Sequence, residues 1–328
     1  MNRNFSLNFG GAKKEPEKKE ETVTEKKFKE ITGKLNIIKT SGQEFVNVTV
    51  DDMEFIRTLG SGAYGHVTQQ KFKKTQQNMA VKCMRRSGDP DEDKRIMTDC
   101  YVILETHTHP NIVNCYGIIS HECSVYICME VMTTCLHDLI YNYLKKGIDE
   151  IYVGKLLVGI LDGLAYLKSK NYMHRDVKPS NMLINYDGIV KLCDFGISGQ
   201  LIDSQITSAG KGTLSYLAPE RIESVTTYDA RSDVWSLGIT IIEMIRGEHP
   251  YAGVNCNFDL LTKIKEEPAP FFEEHEASYE LRNFVSKCLE KNVSKRAKYN
   301  QLLEHYFIQT FRGRNVDVGD WITSVLVD

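Results

Sequence analysis

Polar and apolar residues alternate over Phe45-Val-Asn-Val-Thr-Val50, where a folded domain is expected to begin. A short apolar run, Met79-Ala-Val, ends in the cation Lys82, and Val125-Tyr-Ile-Cys-Met-Glu-Val-Met132 reads as a buried strand. Helical spacing takes over elsewhere. Ile96, Cys100 and Ile103 share one face between Asp91 and Thr106, and Leu156 to Leu167 carries apolar residues at helix period. Asp233 to Met244 is apolar nearly all round, which predicts a helix buried on every side. Ile184, Ile189, Val190 and Leu192 flank Asn185-Tyr-Asp-Gly188, which predicts two short strands about a tight turn. Trp321 and its apolar neighbours between Asn315 and Leu326 also lie at helical spacing.

Composition narrows the setting. The 328 residues, 41% hydrophobic and 26% charged, suit one large core or two lobes sharing a cleft. A net charge of -3 argues against bulk nucleic-acid binding. The nine cysteines form no CxxC pair and no metal-ligand spacing, which suits free thiols in a reducing compartment. Met1 to Phe9 lacks an apolar core, and no apolar run reaches membrane-spanning length, so an intracellular protein off the membrane is expected. From Gly11 to Glu30, thirteen of twenty residues are Lys or Glu, and a disordered tail is expected there.

The chemistry concentrates between Tyr172 and Gly196. A hairpin about Asn185–Gly188 would hold Asn181 and Asp194 on neighbouring backbone, as two oxygen ligands of one hard cation require. Mg²⁺ prefers one or two such ligands plus substrate phosphates. Asp176, near Asn181 in sequence, is suited to orient and deprotonate a hydroxyl nucleophile. Upstream, the glycines of Leu59-Gly-Ser-Gly-Ala-Tyr-Gly-His-Val67 permit close backbone approach, and free N–H groups there can meet phosphate oxygens. The combination points to phosphoryl transfer.

The motifs His174-Arg-Asp-Val-Lys-Pro-Ser-Asn181, Asp194-Phe-Gly196, the glycine loop, Ala80-Val-Lys82 and Ala218-Pro-Glu220 occur in order. From Met53 to Ile308 the chain resembles a eukaryotic protein kinase. The resemblance implies an α+β, two-lobed fold with a small β-rich lobe and a large helical one. It implies ATP and Mg²⁺ as cofactors, with Asn181 and Asp194 holding metal, Asp176 as base and Lys178 stabilising the transferred phosphoryl group. ATP would lie among Leu59, Gly60, Ser61, Gly62, Ala63, Tyr64, Gly65, Val67, Ala80, Lys82, Met129, Glu130 and Met132. Met129 would guard the back of the pocket, and the backbone of Glu130 and Met132 would read the adenine edge. Asp99 stands where kinases place the Glu that pairs with the strand lysine, so a Lys82–Asp99 pair is expected, with the helix drawn closer for the shorter side chain. Thr213 would brace Asp176 and Lys178, Asp233 would anchor the catalytic loop, and Arg296 would pair with Glu220.

Asp194-Phe-Gly-Ile-Ser-Gly-Gln-Leu201, with Ser204 and Ser208 four residues apart, is similar to the MAP kinase kinases. The short region after Pro250 resembles the stress-activated branch. This implies transfer to Thr and Tyr in the activation loop of a MAP kinase, and activation by an upstream MAP kinase kinase kinase at Ser204 and Ser208. Thr207 stays open as a further acceptor. A phosphate adds about -1.5 to -2 charge, and Arg175 is its natural guanidinium partner. Lys26-Lys-Phe-Lys29 followed by Leu35 and Ile37 resembles a MAP kinase docking segment, with a solvated charge run as the other reading. The Trp321 segment resembles a docking site for the upstream kinase, with simple burial on the large lobe as the other. The division expected is a charged tail over 1–44, a kinase domain over 45–308 with lobes meeting near 131 and 132, and a C-terminal segment over 309–328. A monomer in the cytoplasm, with the nucleus as a second compartment, completes the expectation. The alternative is a kinase-fold scaffold of little activity that binds members of the same pathway.

Overall fold

The computed structural model describes residues 32–62, 65–194, 214–223, 229–254 and 256–327. Seven strands form one antiparallel sheet: β1 (Ile37–Thr40), β2 (Gln43–Phe45), β3 (Met53–Gly62), β4 (Gly65–Phe72), β5 (Gln77–Arg85), β6 (Cys115–His121) and β7 (Ser124–Met129). Their order across the sheet is β2-β1-β6-β7-β5-β4-β3. Helix α1 (Pro90–Thr106) lies between β5 and β6 in sequence, and its Ile96, Cys100 and Ile103 are buried.

The sheet begins before Phe45, so of the expected tail over 1–44 the part carrying β1 and β2 is corrected to folded strand, while residues 1–31 lie outside the described residues. Thr40 pairs with Gln43 across Ser41 and Gly42, both at positive φ (54° and 72°). That is the backbone a two-residue type I′ hairpin needs. β1 then adds to β6 through Ile37↔Ile118 and Ile38↔Gly117. Ile38 is fully buried beside Val48, Met53, Phe72, Met79, Val81, Ile119 and Cys128, a burial that contributes roughly 1.5–3 kcal/mol. Phe45 closes this cluster with its ring edge-on to Phe72, 5.2 Å between centroids. Leu35 bridges to Ile118 and lies against the main core. Ile37 thus pairs within the chain's own sheet and Leu35 bridges to it, both half-buried, while the basic residues of the docking segment lie outside the described residues.

After β7 the chain passes through β8 (Thr134–Cys135) into α2, made of Leu136–Asp138 and the wider turns of Leu139–Leu144. Helix α3 (Glu150–Ser169) buries Val153, Leu156, Leu157, Ile160, Leu161, Leu164 and Leu167, the i, i+3, i+4 stripe of a core-facing helix. β9 (Met182–Ile184) and β10 (Val190–Leu192) pair antiparallel, and β8 joins β9. Ile189 lies outside β10 and is exposed, so the strand starts one residue later than its apolar pattern suggests. The remaining helices are α4 (Pro219–Glu223), α5 (Arg231–Arg246), α6 (Asn257–Glu266), α7 (Tyr279–Cys288), α8 (Tyr299–Leu303), α9 (Tyr306–Gly313) and α10 (Val318–Val327). In α5 every residue from Ser232 to Met244 is buried except Ser236. Gly247, at φ 73°, ends that helix in the left-handed conformation that favours glycine.

Helix α10 belongs to the body. Val318 and Ile322 are buried, and the Trp321 ring stacks on Tyr152 of α3 at 4.2 Å and 8°. Its first turn presses on the β9–β10 turn, where a Cβ placed on Gly188 would lie 2.6 Å from Gly319 N. No helix among the described residues is long and apolar enough to cross a membrane.

Candidate active site

The β9–β10 hairpin sets the site. Asn185 Oδ1 accepts from Ile189 N–H at 2.9 Å and Gly188 takes φ 75°, so the turn closes on its own side chain and one glycine. Asn181 ends the 3₁₀ turn Pro179–Asn181 just before β9, and Asp194 follows β10 by one residue. Cys193 N–H donates to Asn181 O at 3.1 Å, which ties the two ligand candidates together through backbone. Asp194 itself sits at φ 56° and Arg175 at φ 69°. Non-glycine residues seldom adopt this region, and strained backbone of this kind clusters at functional sites.

Three polar side chains meet ahead of β9. Asp176 Oδ2 accepts from Lys178 Nζ at 2.8 Å and from Asn181 Nδ2 at 2.8 Å. The same amide nitrogen donates to Asp176 O at 2.8 Å, which leaves the Asn181 amide oxygen as its other polar end. The loop carrying Asp176 hangs from α5. Asp233, buried in the first turn of that helix, accepts from His174 N–H at 2.9 Å and Arg175 N–H at 2.8 Å. Tyr299 Oη adds a third bond to that carboxylate at 3.4 Å. One buried carboxylate thus satisfies two consecutive backbone donors and aims the loop.

Lys82 reaches the site from β5. Its ammonium is 2.7 Å from Asp194 Oδ1. Burial pushes the Lys82 ammonium down, but the charge and hydrogen bond of Asp194 outweigh it, so its value ends above the ordinary lysine range. The expected Lys82–Asp99 pair is not formed. Asp99 is 2% exposed on α1, and its Oδ2 has no hydrogen-bond partner. Burial pushes its carboxyl up to about 8, with Lys82 and Arg175 only partly offsetting. Asp194, not Asp99, takes the ammonium.

The glycine loop is a hairpin above this cluster, with Gly60↔Val67, Ser61↔His66 and Gly62↔Gly65 in register. Gly65 has a local reason to be glycine: a Cβ there would lie 2.0 Å from Cys83 O on β5. Val67 pairs with Lys82 and Ala80 pairs with Met129, so these four residues sit together on the adjoining strands β4, β5 and β7. In the connection after β7, Glu130 N–H donates to Asn114 O at 3.0 Å. The Glu130 carboxylate takes Lys191 Nζ at 2.6 Å and Asn114 N–H at 2.6 Å.

Below the cleft, Arg296 and Glu220 form a two-bonded ion pair at 2.7 and 2.9 Å. Ser232 Oγ donates to Glu220, and the guanidinium lies 5.2 Å from the centroid of the Trp235 ring. Burial pushes Glu220 up, but the Arg296 hydrogen bonds and charge outweigh it and hold the carboxyl below its usual range.

The protein kinase domain family matches residues 53–308. The human dual specificity mitogen-activated protein kinase kinase 7 is 41% identical over 95% of this chain and 75% of its own length. Hemipterous of Drosophila melanogaster, a dual specificity mitogen-activated protein kinase kinase, is 42% identical over 90% of this chain but 25% of its own. The Caenorhabditis elegans kinase kinase mek-1 is 39% identical over 84% and 79%. The chain belongs to the dual-specificity MAP kinase kinases.

As a protein kinase it uses ATP and a divalent metal. The donors fit a hard cation, since the Asn181 amide oxygen and the Asp194 carboxylate offer oxygen alone. Ala63, Tyr64, Ser204, Thr207, Ser208 and Thr213 lie outside the described residues, as does Lys26–Lys29. One network escaped the sequence reading. Glu243, buried in α5, accepts from Tyr141 Oη of α2 at 2.9 Å and from Tyr216 Oη, four residues before Glu220. Burial pushes Glu243 up, with both phenols pulling the other way. A second carboxylate, ten residues after Asp233 in a largely apolar helix, was the signal available for it.

Proposed function

We propose that this kinase moves the γ-phosphoryl group of ATP, with Mg²⁺ as the metal, to a Thr and a Tyr in the activation loop of a stress-pathway MAP kinase. The observation that carries the reading is the Asp176–Lys178–Asn181 cluster, held beside Asp194 by the backbone hydrogen bond from the preceding Cys193 to Asn181 O. Asp176 accepts the proton of the attacking hydroxyl, and Lys178 offsets charge on the transferred group. Lys82 and the glycine-loop backbone position the phosphates, and the backbone of Glu130 and Met132 holds the adenine. A metal held by Asn181 and Asp194 supplies charge neutralisation between the phosphates. Little covalent work is left to the protein, so its contribution is placement and electrostatics.

The Lys82–Asp194 pair suits a resting enzyme. Phosphate on Ser204 and Ser208, placed there by an upstream kinase, is read as pairing with Arg175 and bringing α1 towards Lys82. Recombinant protein carrying Ser204→Asp and Ser208→Asp, given a panel of catalytically dead MAP kinases and Mg-ATP, tests the substrate. Mass spectrometry is expected to find both Thr and Tyr phosphorylated on one panel member. Phosphate on generic substrates alone, with no MAP kinase product, would refute it.

A further inference from the structure

The nine cysteines include one at a place the spacing alone does not reveal. Cys135 Sγ, a ring nitrogen of His137 and a carboxylate oxygen of Asp138 lie within 4.8 Å of one another. Residues at i, i+2 and i+3 do not converge along a regular strand or helix. Here they do, because Cys135 ends β8 in extended backbone (φ -102°, ψ 160°) and the chain turns at once into α2. The corner is pinned. Cys135 pairs with Leu183 of β9, and Asp138 N–H donates to Cys135 Sγ at 3.3 Å. Asn142 Nδ2 holds Asp138 Oδ1 at 3.0 Å, and the Tyr141 ring lies 4.7 Å from the His137 ring. His137 Nδ1 and Asp138 Oδ1 are already 3.4 Å apart.

We propose that Cys135, His137 and Asp138 form a zinc site at the corner between β8 and α2, three residues past Met132. The donor set decides the metal. A thiolate with an imidazole selects zinc over magnesium or calcium, which take oxygen alone. Zinc bonds of about 2.0–2.3 Å place tetrahedral ligands roughly 3.5 Å apart. The present spread therefore contracts by about 1 Å, which rotation of the half-exposed His137 and Asp138 side chains supplies while Cys135 stays fixed. Three protein ligands with solvent on the open side leave the fourth position to water. Zinc takes the thiolate, so uptake forms one Zn–S bond and releases the Cys135 proton to solvent. The site's thiolate and imidazole donors differ from the oxygen-only donors of Asn181 and Asp194, which suit a different class of ion. It does not depend on which protein substrate the kinase serves.

The test uses the full chain freed of metal with a chelator, titrated with Co²⁺ as a spectroscopic stand-in and then with Zn²⁺. One Co²⁺ per chain is expected, with a near-ultraviolet thiolate-to-metal band and tetrahedral visible bands that Zn²⁺ abolishes by displacement. Cys135→Ser is expected to lose the thiolate band. His137→Ala and Asp138→Asn, each checked for an unchanged melting temperature, are expected to weaken binding by at least about tenfold. The double variant Cys123→Ser/Cys256→Ser, which removes the two exposed thiols, is expected to bind as the parent does. Absence of the thiolate band, or a band that survives Cys135→Ser and disappears in the double variant, overturns the proposal.

Discussion

Lys82 pairs with Asp194 at 2.7 Å, while Asp99, buried beside them on α1, keeps one oxygen without a partner. A kinase in which the strand lysine is tied to the metal-side carboxylate is wired differently from one in which it reaches the helix. Lengthening residue 99 by one methylene is the direct perturbation. Asp99→Glu is expected to raise the activity of the unphosphorylated enzyme several-fold, about 1 kcal/mol in activation free energy, because the longer carboxylate competes for Lys82. Initial rates with a fixed protein substrate check it, and an unchanged or lower basal rate would contradict the wiring.

Asp99 also sets a pH dependence. Its carboxyl is raised to about 8 by burial, against 3.8 for an ordinary aspartate. Between those values the folded protein holds a proton that the unfolded chain has released. Stability is therefore lost as pH rises through that window, by roughly 1 kcal/mol per pH unit from this group, and levels off above it. Asp99→Asn removes the dependence. The melting temperature of the variant minus that of the parent is expected to be near zero at the acid end and to grow steadily towards pH 8. A constant difference would place the raised value elsewhere.

The Glu220–Arg296 pair is a structural hinge pin, with the Arg296 side chain fully buried. Removing one partner leaves a largely buried charge uncompensated, which costs about 3–5 kcal/mol. Arg296→Met is expected to destabilise by that amount in urea unfolding. Adding Glu220→Gln to Arg296→Met is expected to recover part of the loss, since the stranded carboxylate is then gone. Equal stability of the single and double variants would assign the loss to the Arg296–Trp235 contact instead.

Much of this site was legible in the amino-acid order because its chemistry is local. Asp176, Lys178 and Asn181 meet within one loop, and the Asn185–Gly188 turn carries its own folding signal in a capping side chain and a glycine. The β1–β2 hairpin was hidden because two short runs around Ser41-Gly42 follow a long charged stretch, and their burial depends on β6, some eighty positions away. Lys82's choice of partner depends on where α1 sits, which a pattern of apolar residues does not encode. The Glu243 network and the Cys135 corner share that character: both are made by chain geometry that brings unremarkable residues together.

The contact between α10 and the hairpin predicts an effect at a distance. Gly188 needs positive φ, and an added Cβ would meet Gly319 N and Val318 Cβ at 2.6 and 2.7 Å. Gly188→Ala is expected to cost about 1–3 kcal/mol through backbone strain and displacement of α10. Because the same turn joins the strands that carry Asn181 and Asp194, kcat is expected to fall as well. Calorimetry and steady-state kinetics on the same preparation check both, and an unchanged kcat alongside a lowered melting temperature would confine α10 to a structural role.

The central claim is that Asp176 is the base in phosphoryl transfer. The most direct measurement is single-turnover phosphorylation of a MAP kinase substrate by the activated enzyme and by its Asp176→Asn variant, with nucleotide affinity and melting temperature recorded for both. The transfer rate of Asp176→Asn is expected to fall by about 10²–10⁴, with ATP still bound and the fold intact. Transfer at the parent rate by a folded, ATP-bound Asp176→Asn enzyme would contradict it.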